Sequence, residues 1–391
     1  MSRHEVSENE NVITHGVIWQ QLLIFFFPLL FGTFFQQLYN TADAVIVGRF
    51  VGKQALSAVG GTTGTLINVF VGFFIGVSAG ATVTIARYYG AEKKEALDRA
   101  LHTAAAIAIL GGIAFTAAGI ACTPALVRMM GTPEDTIEES VLYLNIYFGG
   151  MTANLVYNMG AGILRAVGDS RRPLYFLIIS CFANIFLDLL FVIVFRMGVA
   201  GAALATVLCQ LLSAVLVLAA LKKGSGMYCL KLRKIRIDGK MLAKILSIGL
   251  PVGFESIMYS FSNILIQSAI NSFGTNTVAA WAAYGKIDGM FWMVINSFGI
   301  AVTTFVGQNS GAGFFRRVRE SVRQGLILSF CATVLLSLFL YFFGPSLLHL
   351  FTTDAKVVTI GTDMIRFLVP TYFTFVCIEI FLFVFFYRFG I

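Results

Sequence analysis

Charge is scarce in this chain: only 12% of its 391 residues are Asp, Glu, Lys or Arg, where a soluble domain carries about 25%. Histidine is rarer still. The four, His4, His15, His102 and His349, lie far apart in sequence, and His102 and His349 fall at expected helix ends, so no catalytic or metal-binding histidine cluster is readable. No Walker A run is present, which excludes a P-loop ATPase engine. Neither a His-Glu-x-x-His pair nor a nucleophile elbow is readable, and no enzyme activity is expected. The six cysteines (Cys122, Cys181, Cys209, Cys229, Cys331 and Cys377) form no Cys-x-x-Cys pair and mostly sit in apolar runs. They read as small packing residues rather than disulfides or metal ligands. Residues 1–15 are polar and lack the apolar core of a cleavable signal, so the first apolar segment is expected to direct insertion itself.

What the chain has is apolar sequence, 58% of the total, with a mean hydropathy of +0.83. A membrane-spanning helix needs about 20 mostly apolar residues, and ten segments qualify: 18–42, 55–86, 100–122, 138–160, 173–195, 198–221, 243–271, 277–305, 324–344 and 359–385. No long alternating runs occur, so helices fit and an outer-membrane barrel does not. The expected class is an all-α polytopic membrane protein.

The net charge of +8 invites a nucleic-acid reading, and the placement of the charges rejects it. With ten spans, one set of alternating connections carries most of the 28 Lys and Arg, including Arg87, Lys93, Lys94, Arg99, Arg165, Arg171, Arg172, the stretch Lys222–Lys244, and Arg316 to Arg323. The other set holds only Arg49, Lys53, Arg128, Arg196 and Lys356. This bias places the N-terminus in the cytoplasm, in a plasma or bacterial inner membrane. Positive charge is then a topology signal, with contact to anionic lipids as a by-product.

The stretch 222–244 is the longest polar connection and separates two halves that repeat. Pro28 matches Pro251 and Asn40 matches Asn263, both 223 residues on. Further along, Thr82 meets Thr303 and Gly90-Ala91 meets Gly311-Ala312, 221 residues on. An even number of spans separates the two starts, so the repeat is parallel. The expected division is a lobe at 1–222, a basic cytoplasmic linker at 223–242 and a second lobe at 243–391.

Polar residues inside apolar spans are the candidate site. Gln36, Asn40 and Asp43 lie at i, i+4 and i+7 on the first span, one helix face. Asn184 and Asp188 interrupt "CFANIFLDLLFVIVF" at i and i+4, and Thr206 and Gln210 repeat that spacing. A carboxylate at the bilayer centre costs roughly 2.5–3.5 kcal/mol, so Asp43 and Asp188 point to a proton or Na⁺ site. The plainer readings are a helix-end cap for Asp43 and a satisfied structural residue for Asp188. In the second half, Ile266 replaces Asp43 by register, while Glu255, Lys286 and Asp288 supply polar groups. Those could contact a cationic substrate or serve as packing glue.

Several stretches resemble the multidrug and toxic compound extrusion (MATE) antiporters. They are "PLLFGTFFQQLYNTADAVIVGRFVGKQALSAVG" (28–60), "RAVGDSRRP" (165–173) and "GKIDGMFWMVINSFGIAVTTFVGQNSGAG" (285–313), with the Asn184–Asp188 stretch. The resemblance covers nearly the whole chain to about Glu379. It implies two MATE-type six-helix lobes around a central cavity, and export of cationic amphipathic drugs in exchange for H⁺ or Na⁺ without any other cofactor. It also implies a cation site at Asp43, Asn184, Asp188 and Thr206. Small cationic molecules and membrane lipids are the expected partners, nucleic acid is not, and a monomer is expected. After Glu379 the family pattern would bring a second motif like Arg165–Ser170 and two more helices. The chain instead reads "IFLFVFFYRFGI", so the second lobe is expected to lack its last two helices. A lipid-linked oligosaccharide flippase of the same superfamily and a non-transporting fragment are the competing readings. Against the flippase, Lys286 and Arg366 are outnumbered among intramembrane candidates by Asp43, Asp188, Glu255 and Asp288.

Overall fold

The structure, a computed structural model, describes residues 12–224, 227–350, 352, 354–376 and 378. Residues 1–11, Cys377, Glu379 and the Phe-rich stretch that follows lie outside the described residues. The described chain is helical, without strands. In order the α-helices are α1 (Val12–His15), α2 (Ile18–Phe50), α3 (Lys53–Gly60), α4 (Thr62–Gly90), α5 (Lys94–Met129), α6 (Glu134–Gly149), α7 (Met151–Ala166), α8 (Arg171–Asp188), α9 (Gly198–Lys222), α10 (Gly239–Asn271), α11 (Thr275–Gly311), α12 (Phe315–Leu348) and α13 (Ala355–Leu368).

Among the described residues, eight helical stretches are long and apolar enough to cross a membrane. Two of the ten expected spans take another form. The span expected at 138–160 is broken into α6 and α7 at the pair Gly149-Gly150. Gly150 lies so close to Val207 that a Cβ there would sit 2.6 Å from a valine methyl, so the break lets the chain pass close to α9. The span expected from 359 is met in its first part by α13, which gives way to a 3₁₀ turn, Val369–Thr371. Pro370 lies in that turn and has no N–H with which to continue an α-helical ladder. Cys181 and Cys209 are buried as expected, whereas Cys122 and Cys331 lie exposed on apolar helices.

The chain forms two compact units, Met1–Leu30 with Phe261–Ile391, and Phe31–Ser260. The divisions fall inside α2, just past Pro28, and inside α10, past Pro251.

In the first unit α11, α12 and α13 pack on one another around Phe291, Phe305, Leu340 and Ile365. Phe26 stacks on Phe298 with ring centroids 4.0 Å apart. Arg317 at the start of α12 donates to the carbonyls of Ile13 (3.0 Å) and Gly16 (2.8 Å) and to Asn309 Oδ1 (3.1 Å). These bonds tie down the chain that leads into α2.

In the second unit α7 is the central helix, packed on α4, α5 and α9. Its small residues Gly160, Ala161 and Gly162 permit that crowding. Asn158 in its middle receives a bond from Ser78 Oγ at its carbonyl, 3.2 Å away. The letters Gly-x-Ser-x-Gly thus do occur at 76–80, but they run through the middle of α4, where no strand-to-helix elbow forms.

The basic stretch between α9 and α10 is docked rather than loose. It contains a 3₁₀ turn, Leu232–Lys234. Lys231 N donates to His102 Nε2 (3.1 Å) and Asp238 N to Thr103 Oγ1 (3.2 Å), both on α5. The Asp238 carboxylate then accepts from the backbone of Lys240 and Met241, each at 3.0 Å, which caps α10 in the manner of an acidic N-cap.

Candidate functional site

Two polar stripes face one another within the second unit. On α8, Ser180, Asn184 and Asp188 recur every four residues and are all buried. On α9, Thr206, Gln210 and Ser213, spaced four and then three residues apart, share one face and are likewise buried. The stripes meet at one end, where Ser180 Oγ and Ser213 Oγ share a bond of 2.6 Å. The second part of α2 adds Gln36, Tyr39 and the buried Asp43; α7 adds Asn154, Tyr157 and Asn158. Gln36 and Tyr39 of α2 and the three α7 residues line a cavity of about 30 Å³ with Asn184, Thr206 and Gln210, and neither Asp43 nor Asp188 is in that lining. One water needs roughly 10–15 Å³ of such volume, so the space suits a water or two, or an ion, and no drug-sized molecule.

The hydrogen-bond accounts within this cluster do not close. Asp188 is fully buried (0% exposed), yet neither carboxylate oxygen has a hydrogen-bond partner among the described residues. Both ends of the Asn184 amide and Asp43 Oδ1 are in the same state. Asp43 and Asp188 interact electrostatically with one another. Buried polar groups are nearly always paired, and an unpaired one costs about 1–3 kcal/mol or more when charged. Oxygen-rich, acidic and unsatisfied, the cluster has the donor set of a hard monovalent cation or a proton site. Among the described residues no three of His, Cys, Asp and Glu come together as a metal cluster.

Immediately after Asp188 the helix widens into a π-helical turn, Leu189–Val194, closed by Phe195 N donating to Leu190 O at 2.9 Å. Such turns recur at functional sites because they break the regular ladder of carbonyls. Here the turn follows directly on the carboxylate.

The structure thus brings Asp43, Asn184, Asp188, Thr206 and Gln36 into one cluster. Asn40 is not with them. It shares the sequence spacing, but it is exposed where Asp43 and Asp188 are buried. Glu255 on α10 is also exposed, in the second unit. Lys286 is exposed on α11 in the first unit. Asp288, two residues on, accepts from Tyr372 Oη (2.5 Å), Trp292 Nε1 (3.0 Å) and Tyr284 Oη (3.3 Å). That carboxylate is held by three donors, the geometry of a rigid internal network joining α11 to Tyr372.

Two sets of residues escaped the sequence reading. Asn154 and Asn158 on α7 are four apart in an apolar run, the same signal that marked Asn184 and Asp188. They bond each other, Asn158 Nδ2 donating to Asn154 Oδ1 at 2.9 Å. Tyr143 and Tyr147 on α6 stack at 6.2 Å beside the acidic pair. Tyrosines in a membrane chain read as interface or packing residues, so nothing in the sequence singled them out.

Comparison with known proteins agrees with this architecture. The MatE family model matches residues 28–190 and again 251–385. The two matches begin at Pro28 and Pro251, the pair from which the internal repeat was read. The chain is 29% identical to the probable multidrug resistance protein YoeA of Bacillus subtilis over 92% of its own length and 79% of that protein's. It is 28% identical to the probable multidrug resistance protein NorM of Thermotoga maritima, over 88% and 74% of the two chains. Among solved structures, a MOP-superfamily transporter from Pyrococcus furiosus superposes with a TM-score of 0.89 at 23% identity, covering 98% of this chain and 85% of that one. With the family model matched across both halves, the chain belongs to the MatE family and is a MATE-type efflux transporter.

Proposed function

We propose that the protein exports cationic, amphipathic compounds in exchange for H⁺ or Na⁺ bound at Asp43, Asn184, Asp188 and Thr206. The observation that carries this reading is the fully buried, unpartnered Asp188 carboxylate beside unpartnered Asn184. A bare carboxylate in an apolar bundle is unfavourable by several kcal/mol, and a bound proton or cation removes most of that cost. Release of the ion restores the cost, so occupancy of the site biases the conformational equilibrium of the bundle. Substrate bound elsewhere in the protein is then coupled to the ion, and the coupling is reciprocal. The names of YoeA and NorM support multidrug cargo, and the excess of acidic over basic groups inside the spans supports cationic cargo.

The test uses purified protein in sealed vesicles loaded with a fluorescent lipophilic cation. An imposed Na⁺ or proton gradient should drive its release, and the gradient that works names the coupling ion. Release at the rate of protein-free vesicles under both gradients would reject the reading.

We further propose that the N-terminus and the α9–α10 connection are cytoplasmic, on the strength of the Lys and Arg distribution. With the native cysteines replaced, Arg233→Cys should resist an impermeant thiol reagent in intact cells and Glu134→Cys should react. Both positions are exposed, so labelling reports sidedness. The opposite pattern would reverse the orientation.

A further inference from the structure

Where the α9–α10 connection crosses the start of α5 it encloses a cleft of about 240 Å³. Arg99 enters from α5; Arg233, Lys234 and Arg236 enter from the connection. Two carboxylates are also present, and both are engaged. Asp98 pairs with Lys234 at 3.6 Å, and Asp238 caps α10. Arg99, Arg233 and Arg236 make no ion pair among the described residues, so the cleft keeps a positive excess. Three guanidiniums around one small cleft suit a phosphate group, which their planar forks bind in bidentate fashion.

The walls of the cleft are preformed. Buried His102 accepts Lys231 N–H at Nε2, while its Nδ1 lies 2.7 Å from Asp98 O. Only the neutral ring protonated at Nδ1 satisfies both contacts. Buried Thr103 accepts Asp238 N–H. These bonds fix the backbone from which the arginines project. Leu232 and Ile237, alternating with those arginines, are 61% and 46% exposed. Exposed apolar side chains interleaved with arginines suit the boundary between headgroups and acyl chains. Chain connectivity agrees, because the segment runs directly between two apolar helices, α9 and α10.

We propose that this cleft binds the phosphate of an acidic phospholipid at the membrane surface, with Arg99, Arg233 and Arg236 as its ligands and with Leu232 and Ile237 against the acyl chains. The inference does not depend on the transport cycle or on which ion drives it. A basic residue near an anionic membrane surface is worth about 1 kcal/mol, or roughly fivefold in affinity, so losing two arginines should weaken binding by about 30-fold.

The experiment uses the full chain in detergent, with retention of phosphatidylglycerol and phosphatidylcholine read by native mass spectrometry. Wild type and the charge-matched control Lys93→Gln/Lys94→Gln should retain phosphatidylglycerol in preference to phosphatidylcholine. Arg233→Gln/Arg236→Gln should lose that preference and remain monodisperse, since both side chains are exposed. Inorganic phosphate should not displace the lipid, because it lacks the apolar contacts. Undiminished preference in the double variant overturns the site. Displacement by inorganic phosphate, with phosphate alone raising the melting temperature of wild type but not of the variant, overturns the lipid as its source.

Discussion

Asp188→Asn should abolish ion-driven efflux while leaving the protein inserted and folded. The substitution preserves size and removes the charge that a proton or Na⁺ would neutralise. In the native chain both Asp188 oxygens are buried and unpartnered, so the bundle tolerates an uncharged group there at least as well as a carboxylate. Expression, monodispersity and melting temperature should therefore match or exceed wild type. Ion binding should not survive. Groups that merely orient the ligand of a bound ion cost about 10–100-fold in affinity when lost, and a direct oxygen ligand should cost no less. The measurements are Na⁺ titration by calorimetry on detergent-solubilised protein and gradient-driven release from vesicles. Wild-type affinity and wild-type release in Asp188→Asn would remove that residue from the coupling site, and the structural reading of its burial would stand in its place. Asp43→Asn provides the companion case. Asp43 is 7% exposed and interacts electrostatically with Asp188, so its loss should weaken the site rather than empty it.

That site was legible because polar residues in an apolar span are costly and few. Asn184, Asp188, Thr206 and Asp43 stand out against leucine and phenylalanine for that reason, and their spacing at multiples of a helical turn says which face they share. The same rule does not say that Asn40, on the same face, is exposed while Asp43 is buried. Spacing gives the face of one helix, whereas burial depends on which neighbours cover it at that height. Asn154 and Asn158 carry the same signal, while Tyr143 and Tyr147 are not legible at all, since only the packing of α6 places them beside the acidic pair. The π-helical turn after Asp188 has no signature in "LLFVIV" beyond apolarity. The repeat was readable from Pro28 and Pro251. The assignment of the first part of α2 to one compact unit and of most of α10 to the other is set by packing inside continuous helices, and nothing at Leu30 or Ser260 marks it.

Gly76→Val and Gly249→Val should each cripple folding of the second unit. Gly76 and Gly80 on α4 are four apart, as are Gly249 and Gly253 on α10, so each pair lies on one helix face. The two faces meet backbone to backbone. A Cβ on Gly76 would collide with the backbone nitrogen of Gly253, and one on Gly80 would lie 2.6 Å from the nitrogen of Gly249. A Cβ on Gly249 would sit 2.8 Å from Val77 Cα. In a bilayer no hydrophobic gain drives helices together, so close contact through small residues carries the association. Overpacking a core that can relax costs about 1–3 kcal/mol. These neighbours are backbone atoms and have no rotamer to which they can retreat, so the cost here should lie at the top of that range or above it. The melting temperature should fall by at least about 5 °C, or the monodisperse peak should be lost on size-exclusion chromatography. Gly289→Val on α11 is the control, because a Cβ there meets nothing within 4 Å, and it should leave the melting temperature nearly unchanged. If Gly76→Val and Gly249→Val melt with Gly289→Val, the α4–α10 contact is looser than the structure places it, and the glycine seam does not hold the two helices together.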